Sequence, residues 1–149
     1  MDALNILKKQ HRDVEALFRK ATTATEPAER QRIFRQVDRD LRIHSIIEEG
    51  IFYAELRRRA EKSEERLEVA EAYEEHALVK ISIESLEKLD PGSEQYCAKL
   101  GVLMDLVQRH VDEEESTLFK MAHHLFDKAE LEEIGSRLEE AAAQASVPV

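Results

Sequence analysis

Apolar residues recur at intervals of three and four along four long stretches of the chain, and each stretch is interrupted on its apolar stripe by a polar side chain. This is the period of amphipathic helices, so the pattern predicts four of them. The first runs from an Asp2 cap through Leu4, Leu7, Val14 and Phe18 and ends near ATTATEP. The second takes Pro27 as its first residue, with Glu26 or Thr25 before it, and continues to about Ala60, which is roughly 33 residues or ~50 Å. A third starts at Ser63, where SEERLE carries a capping box left incomplete by Arg66, and reaches about Leu89. Asp90, Pro91 and Gly92 then form a turn, and Ser93 caps a fourth helix that extends to about Phe126. Asp127 caps a short fifth helix over about 128–144, and the end, AAAQASVPV, is expected to fray. Long helices joined by short connections pack most simply as an up-down-up-down four-helix bundle. The expected fold is therefore all-α, a single domain over 1–149 with its bundle over about 2–126.

Composition agrees with this reading. Only four Gly and three Pro occur among 149 residues, 36% are charged, and no strand signal is present. A chain of this length suits one core. The net charge of −10 repels phosphate backbones and anionic lipid surfaces, which argues against nucleic-acid and membrane partners and favours cations. No apolar run approaches the ~18 residues of a membrane span, and MDALNILKKQ lacks the features of a secretory signal. The expected location is the cytoplasm. Cys97 stands alone, which excludes an intramolecular disulfide and a cysteine-rich metal cluster, and it is expected to pack near a helix start.

The interruptions carry the chemistry. His11 sits between Leu7 and Val14, and His44 and Glu48 share the face of Val37, Leu41 and Ile51. His76 lies on the stripe of Val69, Tyr73, Ile83 and Leu86, while His110 and Glu114 lie on that of Leu100, Leu103, Val107 and Met121. Each helix thus places one histidine in the core. IHSIIEEGIFY, residues 43–53, is echoed by RHVDEEESTLF, residues 109–119. The order His, then His-x-x-x-Glu, occurs twice, with His11 to His44 spanning 33 positions and His76 to His110 spanning 34. Such a period marks a duplicated helical hairpin, which returns each ligand to a similar level in the bundle.

Buried carboxylates without partners cost several kcal/mol or more each, and a buried imidazole needs its nitrogens satisfied. Cations meet both needs. Nitrogen and carboxylate donors suit iron or manganese, with zinc as a further option, and helical bundles build dinuclear carboxylate sites between facing helices. Asp112, Glu113 and Glu115 are expected in solvent, and Glu49 and Glu75 at the surface or holding the outer nitrogens of the histidines. His123 and His124 are read as partly exposed residues near a helix C-terminus, with a second metal site as the alternative.

In these residues the chain resembles the hemerythrin-like (HHE cation-binding) domain family, through KKQHRDVEALF, RIHSIIEEGIFY, YEEHALVK and RHVDEEESTLF taken in order. The resemblance implies that His11, His44, His76 and His110 are terminal ligands shared between two iron ions. It implies that Glu48 and Glu114 bridge them, with an oxo or hydroxo group completing the bridge and a position open to a diatomic or peroxide ligand. Oxygen-carrying hemerythrins have a further histidine one turn from the third-helix one, where this chain has Ala72 or Lys80, so simple reversible oxygen carriage is disfavoured. Tyr73, three residues before His76, could ligate or hydrogen-bond within the site. The functional expectation is a non-heme di-iron protein that senses or handles dioxygen, peroxide or nitric oxide. The alternatives are a di-iron enzyme turning over peroxide or nitric oxide and an iron-homeostasis protein. No protein partner is indicated.

Overall fold

The computed structural model describes residues 1–146 and is all-α, with the expected four long helices and a fifth after them. Helix α1 spans Ala3–Thr23, and the Asp2 carboxylate accepts from the Asn5 amide at 2.9 Å, closing its first turn. Helix α2 covers 27–59 without a break: Pro27–Ile47, a wide π turn over Glu48–Tyr53, and Ala54–Arg59. Helix α3 is Ser63–Glu87. Its capping partner is Glu65 rather than a residue at the Arg66 position, because Lys62 is the cap and its amide donates to the Glu65 carboxylate at 3.1 Å. Helix α4 covers 94–125, again with a π turn, Glu114–Leu118, between Glu94–Glu113 and Phe119–Leu125.

Helix α5, Lys128–Ala145, opens on a capping box in which Glu130 N–H donates to Asp127 at 2.8 Å and Asp127 N–H to Glu130 at 3.1 Å. It is a full amphipathic helix of 18 residues and includes the AAAQA expected to fray. The rest of that expectation, beyond Ser146, lies outside the described residues. Leu131, Ile134 and Leu138 bury α5 against α1 and the π turn of α2. The backbones approach closely at Gly135, where an added Cβ would stand 2.4 Å from the Met1 carbonyl and 2.9 Å from the Ala3 amide. Backbone cannot yield as a side-chain tip would. Gly135→Ala is therefore expected to lower stability by about 1–3 kcal/mol, the usual range for overpacking, and a thermal melt showing no decrease would contradict this packing.

Two apolar clusters fill the bundle. One joins Leu4, Leu7, Ile47, Phe52, Val69, Leu118 and Phe126 with α5; the other joins Val14, Phe18, Val37, Leu41, Val79, Leu103 and Val107. On every bundle helix the two clusters part at the same level, and that level holds the polar interruptions. Cys97 is exposed rather than packed, since Tyr96 takes the inward position at the start of α4. His123 and His124 are exposed at the end of α4 and join no metal-competent group among the described residues.

Candidate metal centre

Six polar residues are buried on the inner faces: His11, His44, Glu48, His76, His110 and Glu114. Their donor atoms form two groups, His11, His44, Glu48 and Glu114 in one and Glu48, His76, His110 and Glu114 in the other, each with its atoms within 4.8 Å of one another. Both glutamates belong to both groups. Every imidazole turns Nε2 inward: His44 and His76 approach Glu48 at 3.2 and 3.1 Å, and His11 and His110 approach Glu114 at 3.1 and 3.3 Å.

The outer nitrogens are held by a closed ring of contacts between neighbouring helices. Gln10 of α1 accepts from His44 Nδ1 at 2.6 Å, and Glu49 of α2 from His76 Nδ1 at 3.0 Å. Glu75 of α3 accepts from His110 Nδ1 at 2.7 Å, and Glu115 of α4 closes the ring on His11 Nδ1, also at 2.7 Å. Each helix thus uses the residue beside its own inward ligand to orient the histidine of the next. Acceptors of this kind fix the ring and its tautomer and raise the basicity of Nε2. The ring overturns the solvated reading of Glu115, which also binds Arg12. Asp112 and Glu113 are exposed as expected. Glu115→Gln is expected to weaken metal affinity by about 10–100-fold, the usual cost of losing such a partner, measured by competition against a chelator. Unchanged affinity would show that the contact does not steer His11.

The π turns explain a residue that helical periodicity could not find. Both begin on the shared glutamates. At ~100° per residue an ordinary helix would carry Tyr53, five positions beyond Glu48, about 140° off the face. The wider turn returns it inward. The buried Tyr53 hydroxyl donates to Glu114 and stands 3.2 Å from His76 Nε2 and 3.3 Å from His110 Nε2. Its counterpart nine residues beyond His110 is Phe119, which stacks on His11. The two groups therefore differ: a phenol borders one and a phenyl ring the other. Tyr73 takes a supporting place, donating to the Glu49 carbonyl at 3.0 Å and meeting the Tyr53 ring edge-on.

Protonation shows how strongly the centre asks for positive charge. Burial lowers the pKa of His110, yet the carboxylates of Glu114 and Glu75 outweigh it and push the group up to about 10. His76 follows the same logic, burial opposed by Glu48 and Glu49, and rises to about 9. Burial raises Glu48, but His44 and His76 hold it well below the usual carboxylate range. Burial, together with the charges of Glu48 and Glu114, lifts Tyr53 well above a free phenol. Even so, His11 Nε2, both Glu48 oxygens and Glu114 Oε1 lack a hydrogen-bond partner. The short His–Glu separations bring charges together without aligning a hydrogen on an acceptor. Unaligned nitrogen and carboxylate donors converging on shared space are what a pair of cations would satisfy.

The sequence profile of the hemerythrin HHE cation-binding domain matches residues 2–122. The chain belongs to that family. Its fold agrees, since a crystal structure of a hemerythrin HHE cation-binding domain-containing protein from Mycobacterium kansasii superimposes with a TM-score of 0.85 at 25% identity. The match covers 97% of this chain and 87% of that one. A curated protein of Nostoc sp. (strain PCC 7120), named a DNA nickase, is 28% identical over 119 residues. Those residues are 80% of this chain but 33% of the relative, so this HHE chain spans about a third of that protein's length. Among the described residues no helix is long and apolar enough to cross a membrane.

Proposed function

We propose that this HHE domain is a non-heme di-iron protein that binds and handles dioxygen, peroxide or nitric oxide. The observation that carries the reading is the sharing of Glu48 and Glu114 by two adjacent four-donor groups, which fits two cations bridged by carboxylates better than one ion held by a single group. His11 and His44 would complete one position, and His76 and His110 the other. Tyr53 would add a phenol to the second. Iron held in this way supplies a Lewis-acidic, redox-active centre for a small ligand.

The protein's own residues set what can reach it. Apolar residues enclose the four histidines from the side of Val14, Val79, Val107 and Val111. A cleft of about 390 Å³ between α2 and α3, walled by Leu41, Ile46, Tyr73 and Lys80, leads to His76. With Glu48 fully buried, a centre this enclosed suits diatomic or peroxide ligands and not a phosphodiester. The net charge of −10 likewise opposes a DNA substrate, so the nickase activity named for the Nostoc protein is not carried over.

The test is elemental analysis of the purified protein together with its electronic spectrum. The expected result is two irons per chain and a spectrum that changes on adding azide, peroxide, nitric oxide or dioxygen to the appropriate oxidation state. Two bound irons with no response to any of them would leave a metal-binding domain without ligand handling.

A further inference from the structure

A second cleft, of about 180 Å³, lies between α3 and α4 and differs in character from the one between α2 and α3. Its walls carry Glu68, Glu71 and Glu75 from α3 and Glu113 from α4, and it reaches His110 and Glu114. No Lys or Arg lines it. A shallower cleft shares Glu68 and Thr117 with it and extends outward past Glu65 and Lys120 to His124. Glutamates thus run from the surface to the centre along one seam of the bundle. At the inner end Glu75 already holds His110, while Glu114 is 2% exposed and keeps one oxygen without a hydrogen-bond partner. The cleft between α2 and α3 carries one acid, Glu49, and is bordered by Lys80 and by Arg42, which pairs with Asp38 and Glu87.

We infer that the α3–α4 cleft is the route by which divalent cations reach the centre, with Glu68 and Glu71 drawing the hydrated ion in and Glu75 and Glu113 passing it to His110 and Glu114. This rests on the reading of the buried cluster as a cation centre. A groove of one charge sign between low-dielectric walls focuses the field and raises the local concentration of counter-ions. Burial and the neighbouring charges of Glu71, Glu65 and Glu64 raise the pKa of Glu68, a crowding that a passing cation relieves. Because Glu68 and Glu71 are not among the donors of the buried groups, they act on the rate of loading and far less on the final affinity.

The experiment is stopped-flow mixing of the metal-free full chain with cobalt(II), following the absorption of the bound ion at two ionic strengths. Glu68→Gln/Glu71→Gln is expected to slow association at least fivefold and to flatten its salt dependence, with the bound spectrum and the number of ions per chain unchanged. The control is Glu132→Gln/Glu133→Gln, which removes the same charge from exposed positions on α5 and is expected to leave the rate within twofold of the unaltered chain. Equal rates for the cleft variant and the unaltered chain would overturn the route. So would equal slowing by both variants, since net charge alone would then account for the steering. If the unaltered chain takes up no cobalt, the centre itself is misread and the route falls with it.

Discussion

Glu48→Ala and Glu114→Ala are each expected to reduce bound metal from two ions per chain to one or none, while Glu113→Ala retains both. The three substitutions remove the same chemical group within one family of acidic side chains, so the contrast isolates position. Glu48 and Glu114 are each shared by both donor groups, and truncating either leaves both groups with three donors. The loss also strands charge. Without Glu48, His44 and His76 lose their inward carboxylate, and breaking a buried pair of this kind costs about 3–5 kcal/mol. Glu113 is exposed and one residue off the inward face. Metal per chain by elemental analysis checks the prediction, with circular dichroism confirming that each variant remains helical. Equal loss from all three would show that the face assignment is wrong.

The six inward residues were legible in the sequence because each stood where an apolar residue was due. Helix starts were legible for a similar reason, since Asp2, Ser93 and Asp127 cap locally and Pro27 takes the first helical position, which requires no knowledge of tertiary contacts. The residues that orient the histidines were harder. Gln10 and Glu115 lie off the stripes, and only the packing of α1 against α2 and α4 shows that they face His44 and His11. A faint signal was nevertheless present. The pairs Gln10-His11, Glu48-Glu49, Glu75-His76 and Glu114-Glu115 repeat with the hairpin duplication, and in each one residue points inward while its neighbour grips the next helix.

Tyr53 was hidden for a different reason. Its place depends on a π turn, and a reading based on the regular period of 3.6 residues assigns it to another face. The echo of EEGIFY in EESTLF marks the segment and sets Tyr53 opposite Phe119, but gives no sign that either side chain faces the centre. The structure makes them the main difference between the two halves. The duplicated scaffold therefore holds two unlike positions, with Tyr53 beside His76 and His110 and Phe119 against His11.

Removing the metal is expected to lower the melting temperature by about 10 °C or more, with the first loss of protection at the level of the histidines. The reason lies in the layering. Apolar clusters above and below cohere without help, but the layer between them contains two buried carboxylates and four imidazoles that protons satisfy only in part. A ligand present at a thousand times its dissociation constant stabilises the folded state by about 4 kcal/mol. At about 2–4 °C per kcal/mol for a chain of this size, one such ion raises the melting temperature by about 8–16 °C, and a second adds to it. Hydrogen exchange should then show the amides around His11, His44, His76 and His110 exchanging faster in the metal-free protein, while those near Phe18 and Leu103 in the apolar cluster change less. Equal melting temperatures with and without metal would mean that the polar layer is self-sufficient, and would count against an iron-dependent folding switch as well as against a tightly held metal pair.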